Sequence, residues 1–275
     1  MHSREPTLQG KYETLQALLQ RMESVVVAFS GGVDSTLVLK VCFDVLGARV
    51  KAATAISPTF PALEVEEVRR LSAAIGVPLQ FVETDQLQIE AFVQNDATRC
   101  FHCKTDLYRL LSGIRDGVGF QAIVDGTNMD DLGEDRPGIN AARQLGVRSP
   151  LVEAGFSKAD IRELAKGLGL ANWNKPAAAC LSSRITRGLP ITKTYLSRVE
   201  QAEAFLLAQG VTQVRVRLHG DLARIEIDPT QMSILMEEPR RSRLVEKFKK
   251  LGFQTVTLDL EGYRAGGGNI SASES

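Results

Sequence analysis

Apolar positions recur along this chain in two rhythms. Leu8, Tyr12, Leu15, Leu18 and Leu19 repeat at helical spacing and predict a leading amphipathic helix over 8–22. Short continuous apolar runs follow at 25–29, 49–56, 79–83, 121–125 and 148–152, and each reads as a buried strand. Helix-period stretches at about 34–46, 62–75, 103–115, 138–145 and 157–168 separate them. This alternation predicts an α/β fold, a doubly wound parallel sheet with helices on both faces. The rhythm then changes. Residues 170–191 are irregular and rich in Ala, Pro, Ser and Arg. A helix over 192–209, alternating strands at 213–217 and 223–227, a helix over 230–250 and a strand at 255–258 predict a second, smaller α+β domain. The expected domains are 1–185 and 186–264, with a disordered tail at 265–275.

The first strand runs straight into Ser30-Gly31-Gly32-Val33-Asp34-Ser35 and then into the first helix of the sheet. Two adjacent glycines admit positive φ, so successive N–H groups can face one concavity. The helix N-terminus adds unsatisfied N–H groups and the positive end of its dipole. Such a turn binds phosphate or pyrophosphate, with Ser30 and Ser35 as further donors and Asp34 as a cap or a Mg²⁺ ligand. It lacks the Gly-Lys-Ser/Thr ending of a Walker A loop and the spacing of a dinucleotide fingerprint. It resembles instead the PP-loop, SGGxDS, of enzymes that cleave ATP between the α and β phosphates. In open α/β sheets ligands lie beyond the carboxyl ends of the strands. Three further features fall at that edge. Asp125-Gly126-Thr127-Asn128-Met129-Asp130-Asp131 carries carboxylates suited to Mg²⁺ beside a pyrophosphate, and also the ordinary residues of a turn. Ser57 follows the second strand, where backbone groups can read adenine. Lys104 and Lys175 are candidate phosphate contacts.

Composition narrows the classes. The chain has 275 residues, 44% hydrophobic and 24% charged, the balance of a globular protein of one or two domains. No apolar run approaches the roughly 18 residues of a membrane span. The start, Met1-His2-Ser3-Arg4-Glu5-Pro6, does not read as a secretory signal. Lys plus Arg equals Asp plus Glu at 33 each, which argues against a nucleic-acid partner and favours a small-molecule substrate. Four cysteines are too few for a disulfide scaffold, so a reducing cytoplasm is expected.

Of these cysteines, Cys42 falls on an apolar helix face and reads as core. Cys100 and Cys103 form a C-x-x-C, and Cys180 adds a third soft ligand. Zinc, a redox dithiol, an iron–sulfur cluster with one open iron, or packed thiols all suit that set. Cys180 lies in a small-residue segment flanked by Lys175 and Arg184, which suits a reactive thiol as well as a buried one. Arg215 and Arg217 share a strand face, with Glu226 on the next strand. Paired arginines grip phosphate or carboxylate, and they equally form salt-bridged sheet faces.

Taken in order, Ser30–Ser35, Asp125-Gly126-Thr127-Asn128, the Lys175-Pro176…Cys180-Leu181-Ser182-Ser183-Arg184 segment and Val214-Arg215-Val216-Arg217 resemble the LarE family of ATP-dependent sulfur transferases over about 8–264. The resemblance implies an enzyme of nickel-pincer nucleotide biosynthesis. It adenylylates a carboxylate of pyridinium-3,5-biscarboxylic acid mononucleotide, releases pyrophosphate, and replaces oxygen with sulfur as AMP leaves. It implies ATP and Mg²⁺ at Ser30, Gly31, Gly32, Asp34, Ser35, Ser57, Gly126, Asp131 and Lys104. Cys180 becomes the sulfur-bearing catalytic residue. Arg215 and Arg217 become the grip on substrate phosphate, with Arg184, Glu203 and Glu226 as further substrate contacts. One branch sacrifices the cysteine's own sulfur. Another holds a [4Fe-4S] cluster on three cysteines, and Cys100, Cys103 and Cys180 point to that branch. A homo-oligomer and the nickel-insertion and carboxylase proteins of the pathway are the implied partners. The competing expectations are a PP-loop tRNA thiolase, disfavoured by the neutral charge, an ammonia-using amide-forming synthetase with no need of Cys180, and a nucleotide-binding module without catalysis.

Overall fold

The computed structural model describes residues 6–133, 137–176 and 179–264; the tail at 265–275 lies outside them. In chain order the elements are α1 (Leu8–Met22), β1 (Val25–Ala28), α2 (Val33–Leu46), β2 (Val50–Ile56), α3 (Ala62–Ile75) and β3 (Leu79–Glu83). Next come α4 (Glu90–Val93), α5 (Arg99–Val118), β4 (Ala122–Val124), α6 (Pro137–Gln144), α7 (Pro150–Glu153) and α8 (Lys158–Gly167). The chain closes with α9 (Lys193–Ala208), β5 (Val214–His219), β6 (Leu222–Ile227), α10 (Met232–Met236), α11 (Arg240–Lys250) and β7 (Thr255–Leu258). Among the described residues no helix is long and apolar enough to cross a membrane.

These elements form two compact units that interleave in sequence. Unit one takes the chain up to Ser57, Ala62–Thr84 and Cys100–Lys175; unit two takes Pro58–Pro61, Asp85–Arg99 and the chain from Pro176 onward. Unit one is built on a four-stranded, all-parallel sheet in the order β3-β2-β1-β4. The chain steps outward from β1 to β3 and then returns to the other side of β1. The direction therefore reverses between β1 and β4, which is where open parallel sheets place their ligands. The strands are apolar runs rather than alternating ones because both faces are covered. On one face Val26, Ala53 and Ile123 bury against Tyr108, Leu111 and Ile114 of α5, with Ala142 and Val147. On the other, α2 packs with α1, α3 and α8.

The expected strand at 148–152 is not formed. A single parallel bridge joins Val124 to Arg148. Pro150 then opens the turn of α7, because a residue without an N–H cannot continue a ladder and its fixed φ suits the first helical position.

Unit two carries a three-stranded sheet, β5-β6-β7, antiparallel and then parallel. Helix α9 packs on β5 and buries Leu196, Val199, Ala202 and Leu206. The helix expected over 230–250 is two helices. Pro239 separates α10 from α11, since proline removes a helical donor and keeps the residue before it out of the α region.

Candidate active site

The six-residue loop sits between β1 and α2, beside the point where the strand order reverses. Gly31 has φ +72°, and a Cβ there would stand 2.7 Å from Val68 Cγ1, so only glycine fits. Gly32 is the N-cap of α2 and supplies no side-chain cap, which leaves the first-turn N–H groups to backbone and ligand. Hydroxyls pin the loop from within. Ser35 Oγ accepts from Ser30 N at 3.3 Å and donates to Gly32 O at 3.1 Å. The Ser30 and Ser35 hydroxyls meet at 3.1 Å, and Thr36 Oγ1 donates to Gly32 O at 2.8 Å.

The loop's carbonyl side is braced by Lys175, already a candidate from the sequence, and by Asn172, which nothing local in the sequence marks. Asn172 is buried and donates to Gly31 O at 3.1 Å and Thr36 Oγ1 at 2.9 Å. Lys175 Nζ binds Glu64 at 2.6 Å and lies 3.5 Å from Gly31 O. A cavity of about 390 Å³ opens on this side. Lys175 thus touches the loop where its carbonyls, not its N–H groups, are presented.

The strand β4 loop closes the other flank. A Cβ on Gly126 would lie 2.7 Å from Ser35 N, so the two loops approach backbone to backbone. Asp125, one residue earlier, is a buried hub. Its carboxylate accepts from Tyr108 Oη at 2.9 Å, Thr127 N and Oγ1 at 3.1 and 2.9 Å, and Ser149 Oγ at 2.8 Å. Lys104 lies 5.4 Å over the Tyr108 ring. Tyr108 first, then Asp125 and Cys103, raise its affinity for a proton against the effect of burial. Ser57 follows the carboxyl end of β2, half-buried at the same sheet edge.

Asp34 faces Lys158, whose Nζ meets both carboxylate oxygens at 2.7 and 2.6 Å. Burial pushes the Asp34 carboxyl upward; Lys158 opposes this, Asp131 adds to it, and the net direction is up. The Lys158 backbone N–H donates to Asp130 of the β4 loop. Lys158 escaped sequence reasoning, yet a signal was present. Ser157 and Asp160 form a capping box that fixes Lys158 at the first position of α8.

In unit two, Cys180 precedes a one-turn 3-10 helix, Leu181–Arg184. Arg184 and Glu203 form a buried bidentate pair at 2.9 and 3.1 Å. Arg184 also donates to Ala179 O at 2.7 Å and Cys180 O at 3.1 Å, and Glu203 accepts from Val216 N at 2.9 Å. The pair therefore fastens the cysteine loop to α9 and β5. Arg217 and Glu226 form a second bidentate pair at 3.0 Å, and Arg217 donates to Ser183 O at 3.0 Å. Arg215 donates to Val214 O at 2.8 Å and stacks 5.2 Å over the Tyr263 ring. Burial first, then Arg184 and Arg217, lower its hold on its proton, with Glu203 and Tyr263 opposing. Among the unit's predicted residues, Cys180, Arg184, Glu203, Arg217 and Glu226 belong to one bonded network.

Cys180 is solvent-exposed as a residue, and its Sγ lies 2.9 Å from Ser182 Oγ. Desolvation of the sulfur raises its pKa, but Arg99, the Ser182 hydroxyl, Arg184 and the Ser183 N–H outweigh it, and the thiol falls below its ordinary value. Arg99 and its partner Asn95 were not singled out in the sequence; they lie some 80 residues from the loop they touch.

None of the four cysteines forms a disulfide. Cys42 is fully buried, and burial raises its pKa. Cys100 and Cys103 sit one helical turn apart in the first turn of α5, about 5–6 Å between Cβ atoms, which suits two thiolates on one cluster. Among the described residues no three His, Cys, Asp or Glu side chains already form a metal-binding group. The donor chemistry of the three thiols fits an iron–sulfur cluster, and one or two carboxylates at Asp34 and Asp131 fit Mg²⁺ held mainly by phosphate oxygens.

No protein-family model matches the chain. Three relatives do. A pyridinium-3,5-bisthiocarboxylic acid mononucleotide synthase from Lactiplantibacillus plantarum is 39% identical over 261 residues, covering 94% of each chain. The chain belongs to the LarE family. An uncharacterised Synechocystis protein, 42% identical over 94% of this chain and 97% of its own, shares that LarE-like length. So does one from Methanocaldococcus jannaschii, 30% identical over 88% of this chain and 92% of its own. Such coverage spans both units of this LarE-family chain.

Proposed function

We propose that this protein is an ATP-dependent sulfur transferase that converts pyridinium-3,5-biscarboxylic acid mononucleotide toward its bisthiocarboxylic form, in nickel-pincer nucleotide biosynthesis. The observation that carries this is the 39% identity to the synthase over 94% of both chains. Unit one is then a PP-loop ATP pyrophosphatase fold, supported by the 3-2-1-4 strand order and the glycine loop at its switch point.

The chemistry follows from what each unit offers. A carboxylate is a poor electrophile, so one of its oxygens first attacks the α-phosphorus of ATP. The bond to the bridging oxygen breaks, and pyrophosphate leaves with that electron pair. The N–H groups at the start of α2 and the hydroxyls of Ser30 and Ser35 receive the charge. Asp34 and Asp131 would hold Mg²⁺, which would supply positive charge beside the phosphates, and Lys158 is the cation at hand for a loop that lacks the lysine of a Walker A motif. The sulfur on Cys180 then attacks the acyl carbon, and AMP leaves with the former carboxylate oxygen; from the resulting thioester, loss of the Cys180 Hα as a proton and cleavage of its Cβ–Sγ bond release the thiocarboxylate and leave dehydroalanine. Arg215 binds the substrate phosphate, while Arg184, Glu203, Arg217 and Glu226 shape the loop around it. Cys100, Cys103 and Cys180 would hold the cluster, which when bound supplies an exchangeable sulfide in place of the cysteine's own sulfur. The protein works as a homo-oligomer in the cytoplasm, upstream of nickel insertion and downstream of the carboxylating step.

The test is direct. Protein purified without oxygen, given Mg-ATP and the biscarboxylate, should release AMP and pyrophosphate and yield a product heavier by one sulfur-for-oxygen exchange. Cys180→Ala should still release pyrophosphate and form no thiocarboxylate. Thiocarboxylate formation by that variant would overturn the role of Cys180. No pyrophosphate from the wild type would overturn the role of the loop.

A further inference from the structure

Asn95 is a residue whose burial and strain demand an explanation. It is fully buried and holds φ +58°, a left-handed conformation that asparagine tolerates better than other non-glycine residues. Its Nδ2 faces three carbonyls of the segment after Cys180: Ile185 O at 3.3 Å, Thr186 O at 2.9 Å and Leu189 O at 2.8 Å. Its own carbonyl accepts from Gly188 N at 3.4 Å. Its Oδ1 accepts from Arg99 Nη1 at 2.6 Å, and the same nitrogen donates to Ser182 O at 3.0 Å. Ser182 in turn places its hydroxyl 2.9 Å from Cys180 Sγ. Leu181 N donates to Thr59 O at 3.0 Å, a third anchor.

We propose that Asn95 and Arg99 are positioning residues for Cys180: Asn95 clamps the strand of chain leaving the cysteine loop, and Arg99, held by Asn95, sets a fixed positive charge against Ser182, the residue whose hydroxyl meets the sulfur. The inference rests on the proposed role of Cys180 as the sulfur-bearing residue. Two features separate it from plain scaffolding. Fastening carbonyls needs only neutral donors, and Asn95 already provides them for three. Arg99 is half-buried, and a guanidinium is delocalised and permanently charged, so its use where a neutral donor would serve Ser182 O points to the negative charge that the sulfur brings to the acyl carbon. Arg99 is also the first residue of α5 and the chain neighbour of Cys100, so the loop clamp and the start of the C-x-x-C helix share one residue.

The test uses the full-length reduced chain, stripped of iron by chelation, with iodoacetate and iodoacetamide as paired probes of Cys180 read by peptide mass. The ratio of the two rates reports local charge and not mere access. Arg99→Gln should lower the iodoacetate-to-iodoacetamide ratio by about threefold, the size expected for one unit charge a few ångströms away in a largely aqueous setting. Arg99→Lys should keep it. A ratio unchanged in Arg99→Gln overturns the proposal. A second readout is pyrophosphate released per thiocarboxylate formed. Arg99→Gln should raise it severalfold and Arg99→Lys should restore it, whereas an equal fall in both products would show a scaffold only and overturn the proposal. Asn95→Asp keeps the acceptor for Arg99 and loses the amide N–H donors that face the three carbonyls, so it should speed hydrogen exchange across 181–189 while Arg99→Gln leaves most of that segment protected. If the wild type releases no pyrophosphate, the proposed function fails alone, and the alkylation ratio still decides the placement of Arg99.

Discussion

Around Ser30–Ser35 the work of binding is given to the main chain, and the decisive side chains are the two that glycine omits. Around Cys180 it is given to charges: two bidentate arginine–glutamate pairs, a third arginine on an aromatic ring and a fourth on Asn95. The first arrangement suits a ligand that brings its own charge and its own metal, and needs donors rather than countercharges. The second suits a segment that has to be held still in a loop with little apolar surface. Each region should therefore break in its own way, the cysteine region through uncompensated charge and the glycine region through steric contact.

The largest effect is expected at Arg184. Its side chain is 3% exposed and that of Glu203 12%, so Arg184→Ala leaves a buried carboxylate that has lost its bidentate partner and keeps the Val216 N–H and the neighbouring charge of Arg215. Removing one partner of such a pair costs about 3–5 kcal/mol. Urea unfolding should show it as a lower midpoint at unchanged slope. Replacing both partners with Met and Leu should recover most of the loss, because the pair's own net contribution is small once desolvation is counted. If the double variant is as unstable as Arg184→Ala, the network holds the loop through the arginine's bonds to Ala179 and Cys180 and not through its charge balance.

A middling effect is expected at Gly126. An added methyl would meet Ser35 N, a backbone atom that cannot swing aside, so Gly126→Ala forces the two loops apart. Overpacking of this kind costs about 1–3 kcal/mol. The more telling readout is ATP binding by calorimetry, which should weaken by at least tenfold. Gly113 lies inside α5 with nothing within 4 Å of a Cβ, and Gly113→Ala should stabilise the protein by about 0.5–1 kcal/mol and leave ATP binding alone. Equal ATP affinity in both variants would mean that the close approach of the β4 loop has no part in the phosphate cradle.

The same contrast explains what the sequence disclosed. The glycine loop is legible because one contiguous hexapeptide, with a strand before it and a helix after it, contains nearly all of its chemistry. The parallel sheet is legible because strands buried on both faces are written as apolar runs. The cysteine region is assembled from residues near 60, 95, 180, 203 and 216, and no local pattern joins them. Arg184, Glu203, Arg217 and Glu226 drew notice as charges, but their pairing is a matter of strand register and helix placement. Pro150 and Pro239 were visible and were outvoted by the apolar runs around them, which cost one strand and split one helix. Lys158 lay in plain view behind its capping box, and missed notice because an exposed-looking lysine beside a helix start is ordinary.

The smallest effect is a pH dependence at the start of α8, in unit one. Burial favours the neutral Asp160 carboxyl, but Lys11 at 2.7 Å and the Ser157 hydroxyl and N–H outweigh it, and the folded carboxyl sits below the ordinary 3.8 of an aspartate. A carboxyl depressed by folding contributes stability that is fully present above 3.8 and fades as the pH falls through its folded value. Lys11 and Asp160 are partly exposed, so their pairing contributes less than about 1 kcal/mol. Lys11→Met should therefore lower the unfolding midpoint slightly at pH 7 and not at all once the acid limb is passed, where the two curves converge. Curves that stay parallel through the acid range would show that Ser157 alone holds Asp160, and that the anchor of Lys158, and through it of Asp34, is the capping box without the ion pair.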